Sequence, residues 1–435
     1  MKRSKYSNLV KTDTCFIIHN PLYNSMIKVH HESLKDLTLQ LFDDENKGFE
    51  LDKSVDTDDK KEYYQQLIDS KILIDNNYNE TNIVNYRYSL LRQHETLQVI
   101  ILPTRQCNFR CPYCYDEFQD TVMSDETYNN SAEMIKNLVA HRSYKSVIIS
   151  WFGGEPMLGY EKILSFMETL KETLPSDVHL RGHMTTNGYL LTKERFEKLL
   201  DVNVCDYQIT VDGLAHTHNQ TRYLVSKQGT WDVIIKNLTD AKSLEQPFDI
   251  MIRTNLTSEI MESIDEWTDY LSDTFGGDTR FRYHFETVKD LVNSKDKSHM
   301  YDTSKSDPTG EVLEVAVKKG LKTSSFLSFI YPFSIMCYAA NPDSIIIDAD
   351  GGIKKCTVAL DSDNNCVGEV LENGNMKIID YKFSWWTHYG KTDSCQDCGI
   401  FPICYGKKCP QAYFNPRSCD SLKEIYEGVI KSTYA

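Results

Sequence analysis

The chain has 435 residues, of which 40% are hydrophobic and 26% charged, and it carries a formal charge of −15. That length calls for two or three domains. No apolar run approaches the roughly 18 residues of a spanning helix, which excludes membrane insertion, and the acidic balance argues against a sequence-independent hold on nucleic acid.

The first residues, MKRSKYSNLVKTDTCF, have basic side chains with no apolar core or cleavage site after them, so no signal peptide is read and a cytoplasmic location is expected. Residues 14–31, CFIIHNPLYNSMIKVHHE, read as two short strands around a turn at Asn20-Pro21. SLKDLTLQLF and EYYQQLID follow as short amphipathic helices and ILID as a further strand, with an acid-rich loop from Asp43 to Lys61 between the helices. This first segment, 1–95, is expected to be a small α+β domain with no catalytic residues of its own.

From Thr96 the pattern becomes strands alternating with helices. The strands are LQVIIL, SVIISWF, VHLRGHM, DYQITV, FDIMIRT and RFRYHF, and Ser124, Thr192 and Thr257 stand at the starts of helices between them. Six such units over 96–322 predict an α/β fold with a parallel sheet whose chemistry lies at the carboxyl ends of its strands. Residues 323–435 are irregular and rich in cysteine, apart from one hairpin, SIIIDADGGIKKCTV, and a closing helix, LKEIYEGVIK.

Thirteen cysteines in a chain without export signals point to metal or redox chemistry rather than to disulfides. Three stand in CNFRCPYC after the first strand, eight lie between Cys337 and Cys419, and only Cys15 and Cys205 stand alone. Soft thiolates at this spacing suit zinc or iron–sulfur clusters. A structural zinc site wants four ligands, whereas a cubane held by three keeps one iron open.

Cys107, Cys111 and Cys114 form C-x3-C-x2-C, which resembles the signature of the radical SAM enzymes. The resemblance implies a partial (β/α)6 barrel and a [4Fe-4S] cluster on those cysteines. It also implies that S-adenosylmethionine binds at the open iron and is split to a 5′-deoxyadenosyl radical. By the same resemblance Gly153, Gly154, Glu155 and Pro156 after the second strand, Thr186 and Asn187 after the third, Thr210 after the fourth, and Arg222 would contact that cofactor. Taken singly, Gly-Gly and Asn-Gly are ordinary turn pairs.

The later cysteines resemble the SPASM domain of radical SAM peptide-modifying enzymes. That resemblance implies two auxiliary [4Fe-4S] clusters, three in all, one held by Cys337, Cys356 and Cys409 and the other by Cys395, Cys398, Cys404 and Cys419. Cys366 either completes the first or is a small buried hydrophobe.

The segment 1–95 resembles the winged-helix-like precursor peptide recognition element of enzymes that modify ribosomally made peptides, in which a leader segment joins a sheet edge. The expected function is therefore a radical SAM peptide maturase of the sactisynthase or ranthipeptide type, forming a thioether between a cysteine sulfur and a carbon. Its expected partners are a precursor peptide and a reductant such as flavodoxin or ferredoxin. The alternatives are carbon–carbon cross-linking, sulfatase-type formylglycine maturation and a zinc-bearing peptide-binding scaffold. No catalytic side chain is assigned. Strand alternation leaves half of such residues as His284 and Glu286 merely packed.

Overall fold

The structure, a computed structural model, describes residues 1–43, 57–91, 95–288, 307–323, 331–334, 336–387, 395–406, 409–410 and 420–434. Its contacts divide the chain into two compact units. One is built from 1–93, 325–337 and 389–435, the other from 94–324 and 338–388. The residues expected to form a cysteine-rich domain, 323–435, are thus shared between the two.

The first unit holds β1 (Lys2–Arg3), β2 (Asn8–Lys11), β3 (Phe16–Asn20), β4 (Ser25–Val29), α1 (Glu32–Leu41), α2 (Asp58–Asp69), β5 (Leu73–Ile74) and α3 (Glu80–Leu91). It also holds the short helix Phe401–Cys404 and the terminal helix Asp420–Tyr434. β2, β3 and β4 form an antiparallel sheet with β3 in the centre, and β1 pairs with β5. The expected hairpin is β3–β4, while β2 and α3 are not among the expected elements. α2 begins inside the segment read as a loop, with Asp58 and Asp59 in its first turn, where carboxylates favour a helix start. The rest of that loop, 44–56, lies outside the described residues.

β3 is covered on both faces. Ile18 packs with Val29, Leu41, Tyr63, Leu67 and Leu73, which belong to β4, α1, α2 and β5. Ile17 faces the other way, against Ile400, Ile403, Leu422, Tyr426 and Ile430. Successive side chains of a strand point to opposite faces, so an uninterrupted FII run fits a strand with two coverings.

The second unit is a ten-stranded sheet in the order β11-β10-β9-β8-β7-β6-β12-β13-β14-β15. Its parallel strands are β6 (Thr96–Ile101), β7 (Ser146–Trp151), β8 (His179–Thr186), β9 (Val204–Thr210), β10 (Asp249–Leu256) and β11 (Phe281–Thr287). Between them run α4 (Asp125–His141), α5 (Tyr160–Thr173), α6 (Lys193–Asp201), α7 (Ala215–Thr221), α8 (Trp231–Ala241), α9 (Ser258–Glu262) and α10 (Ile264–Phe275). α11 (Thr309–Lys318) follows β11. Each strand therefore leads into helix, the connectivity of a partial (β/α)6 barrel.

The three expected helix starts are real caps: Ser124 Oγ accepts from Thr127 N–H, Thr192 Oγ1 from Arg195 N–H, and Thr257 Oγ1 from Ile260 N–H. β12 (Ser344–Ile347) joins the sheet parallel to β6 and turns back into β13 (Gly352–Lys354), the expected hairpin. β14 (Gly368–Val370) and β15 (Met376–Ile378) extend it. Among the described residues no helix is long and apolar enough to cross a membrane.

Candidate active site at the mouth of the barrel

The cysteine loop leaves β6 at its carboxyl end, and its neck is closed by backbone bonds. Thr104 bridges to Val122, and Arg105 N–H donates to Thr121 C=O at 2.9 Å. Its tip is held by residues 223–225, with Arg110 N–H donating to Tyr223 C=O and Val225 N–H to Asn108 C=O, each at 3.0 Å.

One buried side chain clamps both ends of the loop. The Arg105 guanidinium, 2% exposed, donates to Asp116 Oδ1 at 2.7 Å, Asp348 Oδ2 at 3.1 Å and Asp361 Oδ2 at 2.9 Å. Lys354 also pairs with Asp348. Burial pushes the Asp116 carboxyl up to about 6 against the pull of Arg105. The residues that bracket Cys107–Cys114 are in this way tied to the β12–β13 hairpin, which leads into Cys356.

A cavity of about 360 Å³ opens at the ends of the parallel strands. Cys107, Cys111 and Cys114 line it together with Gly153, Gly154, Glu155, Thr186, Asn187, Thr210 and Arg222. Ten of the expected loop and cofactor residues are thereby brought to one place. Pro156 is the exception: it is buried at the first position of a 3₁₀ turn, Pro156–Gly159, and does not line the cavity.

The two glycines are required by the protein itself. Gly153 has φ +119°, and a Cβ on either residue would overlap a carbonyl oxygen of the segment leading into Cys107: Thr104 O for Gly153 and Gln106 O for Gly154. Glu155, 1% exposed, accepts from Thr186 Oγ1 at 2.7 Å, Asn187 N–H at 2.7 Å and Met157 N–H at 2.9 Å. Asn187 Nδ2 in turn donates to Asn108 Oδ1 at 2.8 Å. Glu155 therefore joins the ends of β7 and β8, and Asn187 joins that pair to the cysteine loop.

Arg222 is buried, and its Nη1 donates to Tyr113 Oη at 3.1 Å, while its Nε has no partner among the described residues. Tyr113 Oη also donates to Asp212, a fully buried carboxylate whose other oxygen accepts Asn255 N–H at 2.9 Å. Burial pushes the Cys107 thiol up to about 12 and the Cys111 thiol to about 11, the latter opposed by Arg222. The loop therefore presents protonated thiols at neutral pH unless a metal takes them.

Gln208, Arg253, Asn255 and Glu286 are also in the cavity wall, none of them assigned a role from the sequence. A signal for them was present. Strands of a parallel sheet covered on both faces should be apolar throughout, yet β10 and β11 carry Asp249, Arg253, Asn255, Arg282, His284 and Glu286 at alternate positions. These alternate positions, with Met251 the apolar exception, share one face of the strands, and Arg253, Asn255 and Glu286 on it reach the cavity. His284 Nε2 stands 3.8 Å from Glu286 Oε2, and burial, with Arg253 beside it, lowers its pKa to about 4, so the imidazole is neutral at pH 7.

The sequence profile described as "Radical SAM superfamily" matches residues 101–271. The chain carries a radical SAM domain. It is an enzyme of that superfamily, and membership implies a four-iron cluster and S-adenosylmethionine. The chain is 22% identical over 378 residues to the cysteine-type anaerobic sulfatase-maturating enzyme of Clostridium novyi, covering 78% of this chain and 97% of that enzyme. It is 29% identical over 118 residues to the PqqA peptide cyclase of Bradyrhizobium diazoefficiens, covering 27% of this chain and 29% of that protein. The solved structure of anSMEcpe with bound AdoMet and a peptide superposes with a TM-score of 0.60 at 16% identity over 78% of this chain and 97% of that one, which bears out the fold.

The donor set fits a radical SAM cluster. Three thiols from one loop border a single cavity, and Phe109 N–H donates to Cys107 Sγ at 3.3 Å, as amides do around thiolate ligands. Among the described residues no three His, Cys, Asp or Glu side chains are grouped closely enough for one metal ion. A cubane spreads its ligands over separate corners and does not need that grouping.

Of the other cysteines, Cys356 is buried, with its N–H donating to Asn365 Oδ1 at 2.9 Å. Cys366 is exposed and so is not a small buried hydrophobe. Cys337, Cys395, Cys398, Cys404 and Cys409 are partly exposed. Cys419 lies outside the described residues.

Proposed function

We propose that the chain modifies a ribosomally made precursor peptide, joining a cysteine sulfur to a carbon atom as a thioether. The observation that carries the reading is the single cavity shared by three loop thiols, the Gly153-Gly154 turn, Asn187, Thr210 and Arg222. Relatives acting on a sulfatase and on the peptide PqqA support a peptide substrate.

With cluster and S-adenosylmethionine bound, the site would supply a 5′-deoxyadenosyl radical able to take one hydrogen atom from carbon. Cys107, Cys111 and Cys114 would hold the cluster. The turn at Gly153-Gly154, with Glu155, Thr186, Asn187, Thr210 and Arg222, would hold the nucleotide. Glu155 and Asn187 keep the strand ends and the cysteine loop in fixed register, and the wall of Gln208, Arg253, Asn255 and Glu286 is left to face the substrate. Closing the carbon–sulfur bond removes one hydrogen atom from carbon, and one proton and one electron from the thiol sulfur. Cys337, Cys356 and Cys409, with Cys395, Cys398, Cys404 and Cys419, would hold two auxiliary clusters able to accept that electron. A flavodoxin or ferredoxin would serve as reductant in the cytoplasm.

The leader would dock on the sheet of the first unit. β4 pairs on one side with β3 and has no second strand beside it among the described residues, whereas β2, the other edge strand, is in contact with the terminal helix. The β4 edge is therefore the place for an added strand.

Anaerobically reconstituted protein, assayed with a short cysteine-rich peptide encoded beside its gene, should produce 5′-deoxyadenosine and a peptide lighter by about two hydrogen masses. That peptide should accept one fewer thiol alkylation per link. Equal mass loss with all thiols still alkylated would replace the thioether by a carbon–carbon link. Production of 5′-deoxyadenosine by Cys107→Ala protein would overturn the assignment of the site.

A further inference from the structure

The segment Cys395–Gly406 repeats the local geometry of the barrel's cysteine loop. In both, the second cysteine of C-x2-C donates its N–H to the carbonyl of the first, at 3.1 Å for Cys114 to Cys111 and 3.1 Å for Cys398 to Cys395. In both, a nearby amide donates to a cysteine sulfur: Phe109 N–H to Cys107 at 3.3 Å and Gly406 N–H to Cys404 at 3.4 Å. The donor chemistry of this knuckle thus suits a soft metal centre.

The knuckle also supplies one covering of the N-terminal sheet. Ile400, Phe401 and Ile403 are 4% exposed or less and enter the cores formed by Val10, Ile17, Tyr6, Leu22 and Val84. Cys398 packs against both cores and Cys395 against the second. The polar contacts are as direct. Tyr6 Oη donates to Gln396 C=O at 3.2 Å, Asn8 Nδ2 to Gly399 C=O at 3.2 Å, and Tyr405 Oη to Asn85 Oδ1 at 2.9 Å. The Tyr405 ring stacks on Tyr88 of α3 with centroids 3.8 Å apart. A Cβ at Gly399 would meet the Asn8 side chain and force it off its bond to the Gly399 carbonyl.

Local structure alone does not hold this covering in place. Phe401–Cys404 is a single helical turn, far below the length at which a helix sustains itself. The terminal helix shares this face through Leu422, Tyr426 and Ile430, so the knuckle supplies part of its covering, and a small sheet needs packing against its apolar face to be stable.

We propose that an iron–sulfur cluster held by Cys395, Cys398 and Cys404 helps to fasten one face of the N-terminal sheet, so that the order of residues 8–29 depends on a cluster whose ligands lie almost 400 positions later. Metal binding to otherwise mobile ligands is coupled to folding. By reciprocity, a peptide docked on the β4 edge strengthens metal retention in the knuckle. The inference rests on these cysteines holding metal and not on which bond the enzyme forms.

Hydrogen exchange read by mass spectrometry on the full chain tests it, with three samples: protein loaded anaerobically with ferrous iron and sulfide, the same batch stripped of metal, and a Cys395→Ser/Cys398→Ser variant. Amides of 8–29 should exchange at least tenfold faster in the second and third samples than in the first. β9 of the barrel should be unchanged across all three, and Cys107→Ala protein loaded in the same way should keep 8–29 protected. Equal exchange of 8–29 in the three samples overturns the proposal. So does loss of protection in 8–29 and β9 together, because the effect would then be global.

Discussion

At the scale of single residues, Gly154 shows how a motif can serve protein and ligand together. Its backbone passes the Gln106 carbonyl so closely that a methyl group has nowhere to go, and the obstacle is main chain leading straight into Cys107. Gly154→Ala should therefore displace the cysteine loop rather than merely stiffen a turn. The expected result is a loss of iron from the loop together with a destabilisation of the second unit by roughly 2 kcal/mol, the middle of the range for a strained or overpacked position. Gly277→Ala is the control, since a Cβ there meets nothing within 4 Å. Iron content and urea midpoints for the two variants decide the matter, and equal midpoints would show that the loop can give way.

At the scale of elements, the caps at Ser124, Thr192 and Thr257 and the six parallel strands were legible because their causes are local: a hydroxyl before a helix, and an apolar run of strand length between helices. Arg105 was not legible. It reads as an exposed arginine before a cysteine motif, and what makes it central are Asp348 and Asp361, 243 and 256 positions away in sequence. α3 was passed over because TNIVNYRYSLL, rich in asparagine and β-branched residues, has little helix propensity of its own.

The Arg105 cluster carries its own prediction. Replacing Arg105 by Met leaves three carboxylates around a buried space with Lys354 as the remaining cation, and removing one partner of a buried ionic cluster costs about 3–5 kcal/mol. All five tryptophans lie within the second unit, so tryptophan fluorescence in urea reads that unit alone. The midpoint should fall steeply in Arg105→Met and recover in part when Asp348→Asn removes one of the stranded charges.

At the scale of the whole molecule, the first unit draws on both ends of the chain and on 325–337, and β3 lies between the coverings that the two ends supply. The run CFIIHN was the one trace of this in the sequence, since a strand apolar on both faces needs two coverings, but it does not say that the second comes from residues after 395. A deletion of 1–95 would consequently strip the cover from Ile400, Phe401 and Ile403, and it cannot serve as a clean test of leader binding.

The seam between the two ends includes a titratable group. His19 on β3 is 1% exposed, its Nδ1 lies 2.7 Å from Tyr426 Oη of the terminal helix, and burial lowers its pKa to about 4. The unfolded chain has a histidine of pKa about 6.5. Above that value both states are neutral and the seam is at full strength. As the pH falls from 6.5 towards 4 the unfolded state takes up the proton first, and the unit loses up to about 3 kcal/mol, after which the loss stops. Pulse labelling of Cys15, a buried thiol in the same core, with methyl methanethiosulfonate in urea reads the opening of this unit without reference to the barrel. Its urea midpoint should drop between pH 7 and pH 5 in the natural chain and stay nearly level in His19→Gln, whose amide retains a bond to Tyr426 without a charge to gain. A natural chain as level as the variant would mean that the imidazole is reached by water, and that the seam is looser than its packing requires.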